Sequence, residues 1–317
     1  MRTALALLLL VVVFPVAAQD WPAKPVRVIV PFPPGGGTDT VARPLANKLS
    51  QMLGQQFVID NRGGAGGTIG ANFAAKSAPD GYTVLLAPVH LAVAVSAYKS
   101  LPYDLEKDLI PVTTVAIFPD VLVAAAKVPA RSLSELIAYA KANEGKVNCG
   151  SAGNGTTRHL SCEMFNTLAG IKATHVPYKG TGPATAALLA GEIDYVFEAL
   201  GSAAAHIRAG KIKAITVTSP QRSPSFPDIP SAAESGMPAL DVTSWYGLWL
   251  PAGTPRPIAD RLQSTVAKAF TEADMKDLWF KLGAEAGGAS SEEFRAFQRR
   301  EIEKWAKVVR EARIVIE

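Results

Sequence analysis

The chain has 317 residues, 48% hydrophobic and 19% charged, with 32 Lys and Arg against 28 Asp and Glu and a formal net charge of +4. The basic residues are dispersed rather than gathered in a block, which argues against nucleic acid as a partner. Cys149, Cys162 and four scattered histidines fit neither a C-x-x-C redox pair nor a metal-ligand spacing, so no metal and no cofactor is expected.

Met1 and Arg2 precede an apolar run from Ala4 to Phe14, and Val16-Ala17-Ala18 sets small residues at cleavage spacing. Residues 1–18 are therefore expected to be a secretory signal peptide cut after Ala18. The run is too short to cross ~30 Å of hydrocarbon, and no cysteine follows it to carry a lipid. No later apolar run lacks charges and breakers over ~18 residues, so the exported chain is expected to be soluble. The roughly 299 residues that remain exceed what one compact core holds, which predicts two lobes.

Val26, Val28 and Val30 alternate with Arg27 and Ile29 as a short buried strand, ended by Pro31-Phe32-Pro33-Pro34 and three glycines. Glycines let main-chain N–H groups approach a small molecule, and Thr38 or Asp39 can cap the helix that follows, whose positive end then points at the same spot. That is the build of a small-anion site. The helix carries Val41, Leu45, Leu49 and Leu53, with Pro44 forcing an irregular start or a lost bond. A strand at Phe57 to Ile59, the glycine-rich loop Gly63 to Gly67, a helix with Ile69 and Phe73, a Pro79-Asp80-Gly81 turn and a strand from Tyr82 to Leu86 come next. Ala87 to His90 is expected beside the first loop.

Thr113 to Ile117 reads as the way out of the first lobe. Ser132 and Glu135 fit a capping box for a helix with Leu133, Leu136, Ile137 and Ala140 on one face. A strand at Val147 to Cys149 feeds Gly150 to Thr157 and a helix with Leu160, Met164 and Leu168. Strand Ala173 to Val176 leads to Tyr178-Lys179-Gly180-Thr181-Gly182, with Pro183 preset for the first helical turn and Gly191 ending the helix. Strands Ile193 to Phe197 and Ile212 to Val217 complete the second lobe. The chain returns around Leu240 to Leu250, and helices follow over Ile258 to Phe270 and Ser291 to Arg310. The aromatic stripe of the last helix, Phe294, Phe297 and Trp305, reads as core. The expected lobes are thus 19–118 with 241–317, and 119–240. Cys149 and Cys162 form either a disulfide that staples the intervening loop or two small buried thiols.

Val30-Pro31-Phe32-Pro33-Pro34-Gly35-Gly36-Gly37-Thr38-Asp39, Asn61-Arg62-Gly63-Gly64-Ala65-Gly66-Gly67, Ala78-Pro79-Asp80-Gly81-Tyr82-Thr83, Val176-Pro177-Tyr178-Lys179-Gly180 and Pro251-Ala252-Gly253-Thr254-Pro255 form a series. In order and in kind it resembles the Bug/TctC family, the periplasmic solute-binding receptors of tripartite tricarboxylate transporters. The resemblance implies a periplasmic receptor that hands a small organic carboxylate to the membrane permease subunits of such a transporter, and that holds the carboxylate largely through backbone N–H groups and waters. It departs from the family pattern at Gly63, where proline is usual, at Thr157-Arg158-His159, and in the cysteine pair.

The strand–loop–helix alternation predicts an α/β fold of two doubly wound parallel-sheet lobes with a hinge between them, and the resemblance implies one like a type II periplasmic binding protein. In open parallel sheets the ligand sits beyond the carboxyl ends of the strands. Three loops expected there supply the candidate ligand-binding residues. The first holds Phe32, Gly36, Gly37, Thr38 and Asp39. The second holds Ser151, Asn154, Gly155, Thr156 and Thr157, and the third Lys179, Gly180 and Thr181. His90 in a cleft loop and Glu198 at a strand end join them. Asp39 serves either as helix cap or as a cleft acceptor for a ligand amine or hydroxyl. Arg158 could counter a carboxylate but, as a helix residue, is read as pointing to solvent. His159 and His175 read as packing residues with satisfied nitrogens.

No catalytic residue is expected. Gly64 and Gly66 begin a G-x-G, but Ile69 stands where the third glycine of a dinucleotide fingerprint belongs, and neither G-K-[ST] nor G-x-S-x-G occurs. A carboxylate sensor that presents its closed lobes to a membrane histidine kinase would share the same fold and site. The chain is expected to act as a monomer.

Overall fold

The computed structural model describes residues 21–311, and the expected signal peptide lies outside them. The chain opens β1 (Val26–Val30), α1 (Gly37–Leu53), β2 (Phe57–Asn61), α2 (Thr68–Ala75), β3 (Thr83–Pro88) and α3 (His90–Ala97). A long strand, β4 (Leu109–Ala124), leads to α4 (Leu133–Ala142), β5 (Asn148–Ser151), α5 (Thr157–Ala169), β6 (Thr174–Pro177) and α6 (Thr181–Ala190). Then come β7 (Tyr195–Ala199), α7 (Leu200–Arg208), β8 (Lys213–Val217) and β9 (Thr243–Pro251). The chain closes with α8 (Arg256–Ala269), α9 (Ala273–Leu282), β10 (Glu285–Ala286) and α10 (Ser291–Glu311).

The strands lie in the order β2-β1-β3-β9-β4-β7-β5-β6, with β8 and β10 also pairing with β4. At one end β1 pairs parallel with β2 and β3, and at the other β5 pairs parallel with β6 and β7. These are the two α/β wings expected of the alternating pattern. Between them β4 and β9 run antiparallel, from Leu109 opposite Pro251 to Pro119 opposite Thr243. From Asp120 onward β4 pairs instead with β7 and β8. The wings are parallel inside and antiparallel where they meet, because one strand leaves the first wing and the other returns beside it.

In β1 all but Arg27 is buried, so the strand is covered on both faces, as a central parallel strand must be. On one face of the first wing α1 and α8 bury Leu45, Leu49, Leu262 and Val266. On the other, α3 and α10 bury Leu91, Phe294 and Trp305 against Trp245 and Trp249 of β9. The aromatic stripe of α10 is core, and its polar edges are satisfied. Trp245 and Trp305 donate their indole N–H groups to Glu301 at 2.8 and 3.1 Å, and Trp249 donates to Gln298 at 2.8 Å.

The second wing closes around Val123, Cys149, Cys162, Phe165, Tyr195 and Phe197. A disulfide joins Cys149 of β5 to Cys162 of α5 with their Cα atoms 6.2 Å apart, which decides between the two readings of the pair. Ser132 caps α4 by accepting the Glu135 N–H at 3.2 Å, while Glu135 reaches back one residue further than a capping box predicts, to the Arg131 N–H at 2.7 Å. Leu168 is 41% exposed, so α5 buries Leu160, Cys162 and Phe165 rather than the expected Leu160, Met164 and Leu168 face. Helices α3, α7 and α9 were not anticipated. No helix among the described residues is long and apolar enough to cross a membrane.

Candidate functional site

Three helix N-termini converge where the wings meet. The N-caps of α1, α5 and α6 are Gly36, Thr156 and Gly180, and none of them accepts a side-chain capping bond. Gly36 is a glycine because a neighbour crowds it, and Gly180 because its φ of +114° disfavours any side chain. A Cβ at Gly36 would stand 2.9 Å from Thr181 Oγ1, and one at Gly180 would stand 3.3 Å from Pro33 Cδ. The Gly37 N–H donates to Thr181 Oγ1 at 3.0 Å, a bond from the first wing to the second. The loops are therefore in contact across the cleft.

Between them lies a cavity of about 40 Å³, lined by Phe32, Gly37, Thr38, His90, Ala152, Thr156, Thr157, Arg158, Thr181, Ser244 and Tyr246, with Pro88 and Val89. Outside it lies a cleft of about 580 Å³ whose walls include Pro33, Gly63, Gly66, Gly153, Tyr178, Lys179 and Gly180. Phe32 and Ala152 line both. Seven expected residues thus reach the inner cavity, from Phe32 and Gly37 to Thr157 and Thr181, while Lys179 and Gly180 stand at the mouth.

The other expected residues line neither space. Asp39 is neither the α1 cap nor a cavity acceptor. It lies in the first turn, where its carboxylate receives the Gly35 N–H at 3.0 Å, Arg43 Nε at 2.6 Å and Asn61 Nδ2 at 3.2 Å. Burial works to raise its pKa, and the bonds from Arg43, Gly35 and Asn61 outweigh it, holding the carboxyl below the usual range. Asp39 thus fastens the proline–glycine loop to α1 and β2.

Ser151 Oγ pairs with His175 Nε2 at 2.6 Å and accepts the Gly153 N–H at 3.1 Å. The Gly155 N–H donates to His159 Nδ1 at 3.2 Å, and the two imidazoles stack at 3.9 Å. His159 and His175 stack as packing residues, each with one ring nitrogen hydrogen-bonded, Nδ1 in His159 and Nε2 in His175. Asn154 meets the first wing through its carbonyl oxygen, 3.2 Å from where a Cβ on Gly66 would lie. Glu198 is buried and accepts hydroxyl bonds from Thr185 and Ser202, both at 2.9 Å.

His90 sits at the start of α3 with the Phe32 ring edge-on at 4.8 Å. Both its ring nitrogens are buried with no partner among the described residues. Burial pushes its pKa down to about 3, so it stands in the cavity wall as a neutral imidazole.

Arg158 was expected in solvent and is buried, as the second residue of α5 facing the cavity. Its guanidinium pairs with the carboxylate of Asp120 on β4 and donates to Ser244 Oγ of β9 at 2.8 Å. Burial would lower the Arg158 pKa, and the acidic groups around it outweigh that and keep it charged. The carboxyls of Asp120 and Glu198 are pushed up by burial, with the guanidinium pulling against the rise. A lone carboxylate in the apolar run Val115 to Ala126 was the signal for this pair, since a charge buried in a strand needs a cation.

Comparison with known proteins places the chain. Residues 41–314 match the family model of the tripartite tricarboxylate transporter family receptor, TctC. The chain is 40% identical to protein BugT of Bordetella pertussis over 299 residues, 94% of this chain and 92% of that one. It superposes on R. palustris Rpa4515 solved with adipate at a TM-score of 0.90 and 36% identity, covering 93% of this chain and 99% of that one. For MatC (Rpa3494) from Rhodopseudomonas palustris with bound malate, the TM-score is 0.87 at 36% identity, covering 91% of this chain and all of that one.

Proposed function

The chain belongs to the TctC receptors of tripartite tricarboxylate transporters, periplasmic solute-binding proteins and not enzymes, and on that premise we propose that it captures a small organic carboxylate between two lobes and delivers it to membrane permease subunits. We take residues 19–118 with 241–317 as one lobe, 119–240 as the other, and 1–18 as the export signal. The observation that carries this reading is the convergence of three helix N-termini, none capped by the side chain of its own N-cap residue, on one cavity between the wings. Each such terminus favours an anion by roughly 0.3–1 kcal/mol when exposed and up to ~2 when partly buried. Micromolar binding needs about 8 kcal/mol, so the termini act together with the N–H groups of the glycine loops and the exclusion of water.

The inner cavity has the size of a carboxylate head rather than of a whole ligand. A longer acid would run past Phe32 and Ala152 into the outer cleft, where Lys179 meets a second carboxylate. That favours a dicarboxylate, in keeping with relatives solved with adipate and malate. Closure follows because the ligand touches both lobes and so stabilises the closed state by its differential affinity.

The test is a thermal-shift screen of the purified mature chain against adipate, malate, a tricarboxylate, amino acids and aromatic acids, followed by calorimetry on hits. Dicarboxylates are expected to raise the melting temperature and to bind one per chain. Stabilisation by none of these acids would sink the reading.

A further inference from the structure

We propose that Arg158 determines the ligand specificity of the inner cavity by taking the buried carboxylate itself, so that recognition rests on a guanidinium as well as on main-chain amides. This rests on the carboxylate reading above. Arg158 is 6% exposed and lines the cavity. Its Nη1 is committed to Asp120 and Ser244, while its Nε is buried without a partner among the described residues. A guanidinium holds five N–H donors in a rigid planar fork. A fork with one prong occupied and a buried donor unmet, beside a cavity of carboxylate size, calls for a planar acceptor.

The surrounding acids do not fill that role. The oxygens of Glu198 receive Thr185 and Ser202, and Asp120 reaches the guanidinium through Oδ2 while its Oδ1 has no partner among the described residues. A guest lacking the carboxylate would leave the remaining donors of the guanidinium unmet, which is how a site built to hydrogen-bond rejects an analogue.

The position of the pair adds a second consequence. Asp120 is where β4 changes partner from β9 to β7, and Ser244 lies on β9 opposite Phe118. A carboxylate bound to Arg158 is thereby fastened to both strands that pass between the wings.

The test compares the parent with Arg158→Lys, which keeps the charge and loses the fork, and with the Arg158→Gln/Asp120→Asn double variant, which removes both members of the buried ion pair together. Calorimetry uses adipate and malate, and NMR follows the Arg158 Nε–H of the parent during titration. Arg158→Lys is expected to weaken the better-bound acid by about tenfold and the double variant by about a hundredfold. The Nε–H resonance is expected to shift as the site fills, a response that a purely structural arginine would not give. Parent-like affinity in the double variant, or an Nε–H signal that stays put at saturation, overturns the role of Arg158 and leaves the carboxylate reading standing. If the double variant does not fold, the NMR titration of the parent decides. Failure of the parent to bind adipate, malate or any other acid of the thermal-shift screen overturns both.

Discussion

Gly37 opens α1, and a Cβ built there would stand 2.8 Å from the Tyr246 hydroxyl and 3.6 Å from Ser202 Cβ. The demand is for space, since its backbone is not left-handed, and the space is that of the cavity wall. Gly37→Val is expected to leave the chain folded and to weaken adipate or malate binding in calorimetry by about a hundredfold or more, because a branched side chain would displace Tyr246 and hold the wings apart. Unchanged affinity would remove the start of α1 from the site. Asp39 and Arg158 show the limit of reading single residues. Asp39 receives a donor from Asn61, 22 residues away, and Arg158 finds its acid 38 residues away, so the orientation of each depends on contacts that local sequence does not encode.

At the scale of elements, β5 and α5 carry the second-wing loop of the site, and the disulfide ties them together across a sequence separation of 13. In the chain-entropy account a loop of that length stabilises by roughly 3 kcal/mol. Reduction, or the paired Cys149→Ser and Cys162→Ser variant, is expected to lower the urea midpoint by a corresponding amount, with little change in slope. A parent that releases two free thiols on unfolding without reductant would show that the bridge does not form. The missed elements have local causes. The α7 segment Leu200-Gly201-Ser202-Ala203-Ala204-Ala205 has too few large apolar residues to display a helical period, and α9 follows α8 so closely that the two patterns run together. The strand ends and glycine loops, by contrast, are written in short-range chemistry.

At the scale of the whole molecule, one buried and one partly buried imidazole couple global stability to pH. His90 is held down to about 3 by burial, and His175 to about 4 by burial and the neighbouring His159, against an unperturbed 6.5. Because the folded values are depressed, the neutral forms belong to the native state. Their contribution is complete above pH 6.5 and is lost as the unfolded chain takes up protons on the way down to about 3. At pH 5 the His90 share of that loss is about 2 kcal/mol. The carboxyls of Asp120 and Glu198, pushed up by burial, work in the opposite sense over part of the same range. A His90→Asn variant therefore isolates the imidazole. Denaturant unfolding at pH 7.5 and pH 5 is expected to show a smaller loss in the variant than in the parent, and equal losses would mean that His90 is not held neutral.

The amino-acid sequence by itself determined most of the alternation of strand and helix, the turns between them and the loops that expose main-chain N–H groups, because each follows from the spacing of apolar residues and from where proline and glycine stand. Only the tertiary structure decided which of those loops share a cavity, that β4 and β9 meet antiparallel between two parallel wings, and that Arg158 turns inward to Asp120 and Ser244. Those outcomes depend on surfaces brought together from far along the chain. A buried charge finds its partner through the fold rather than through its neighbours in sequence.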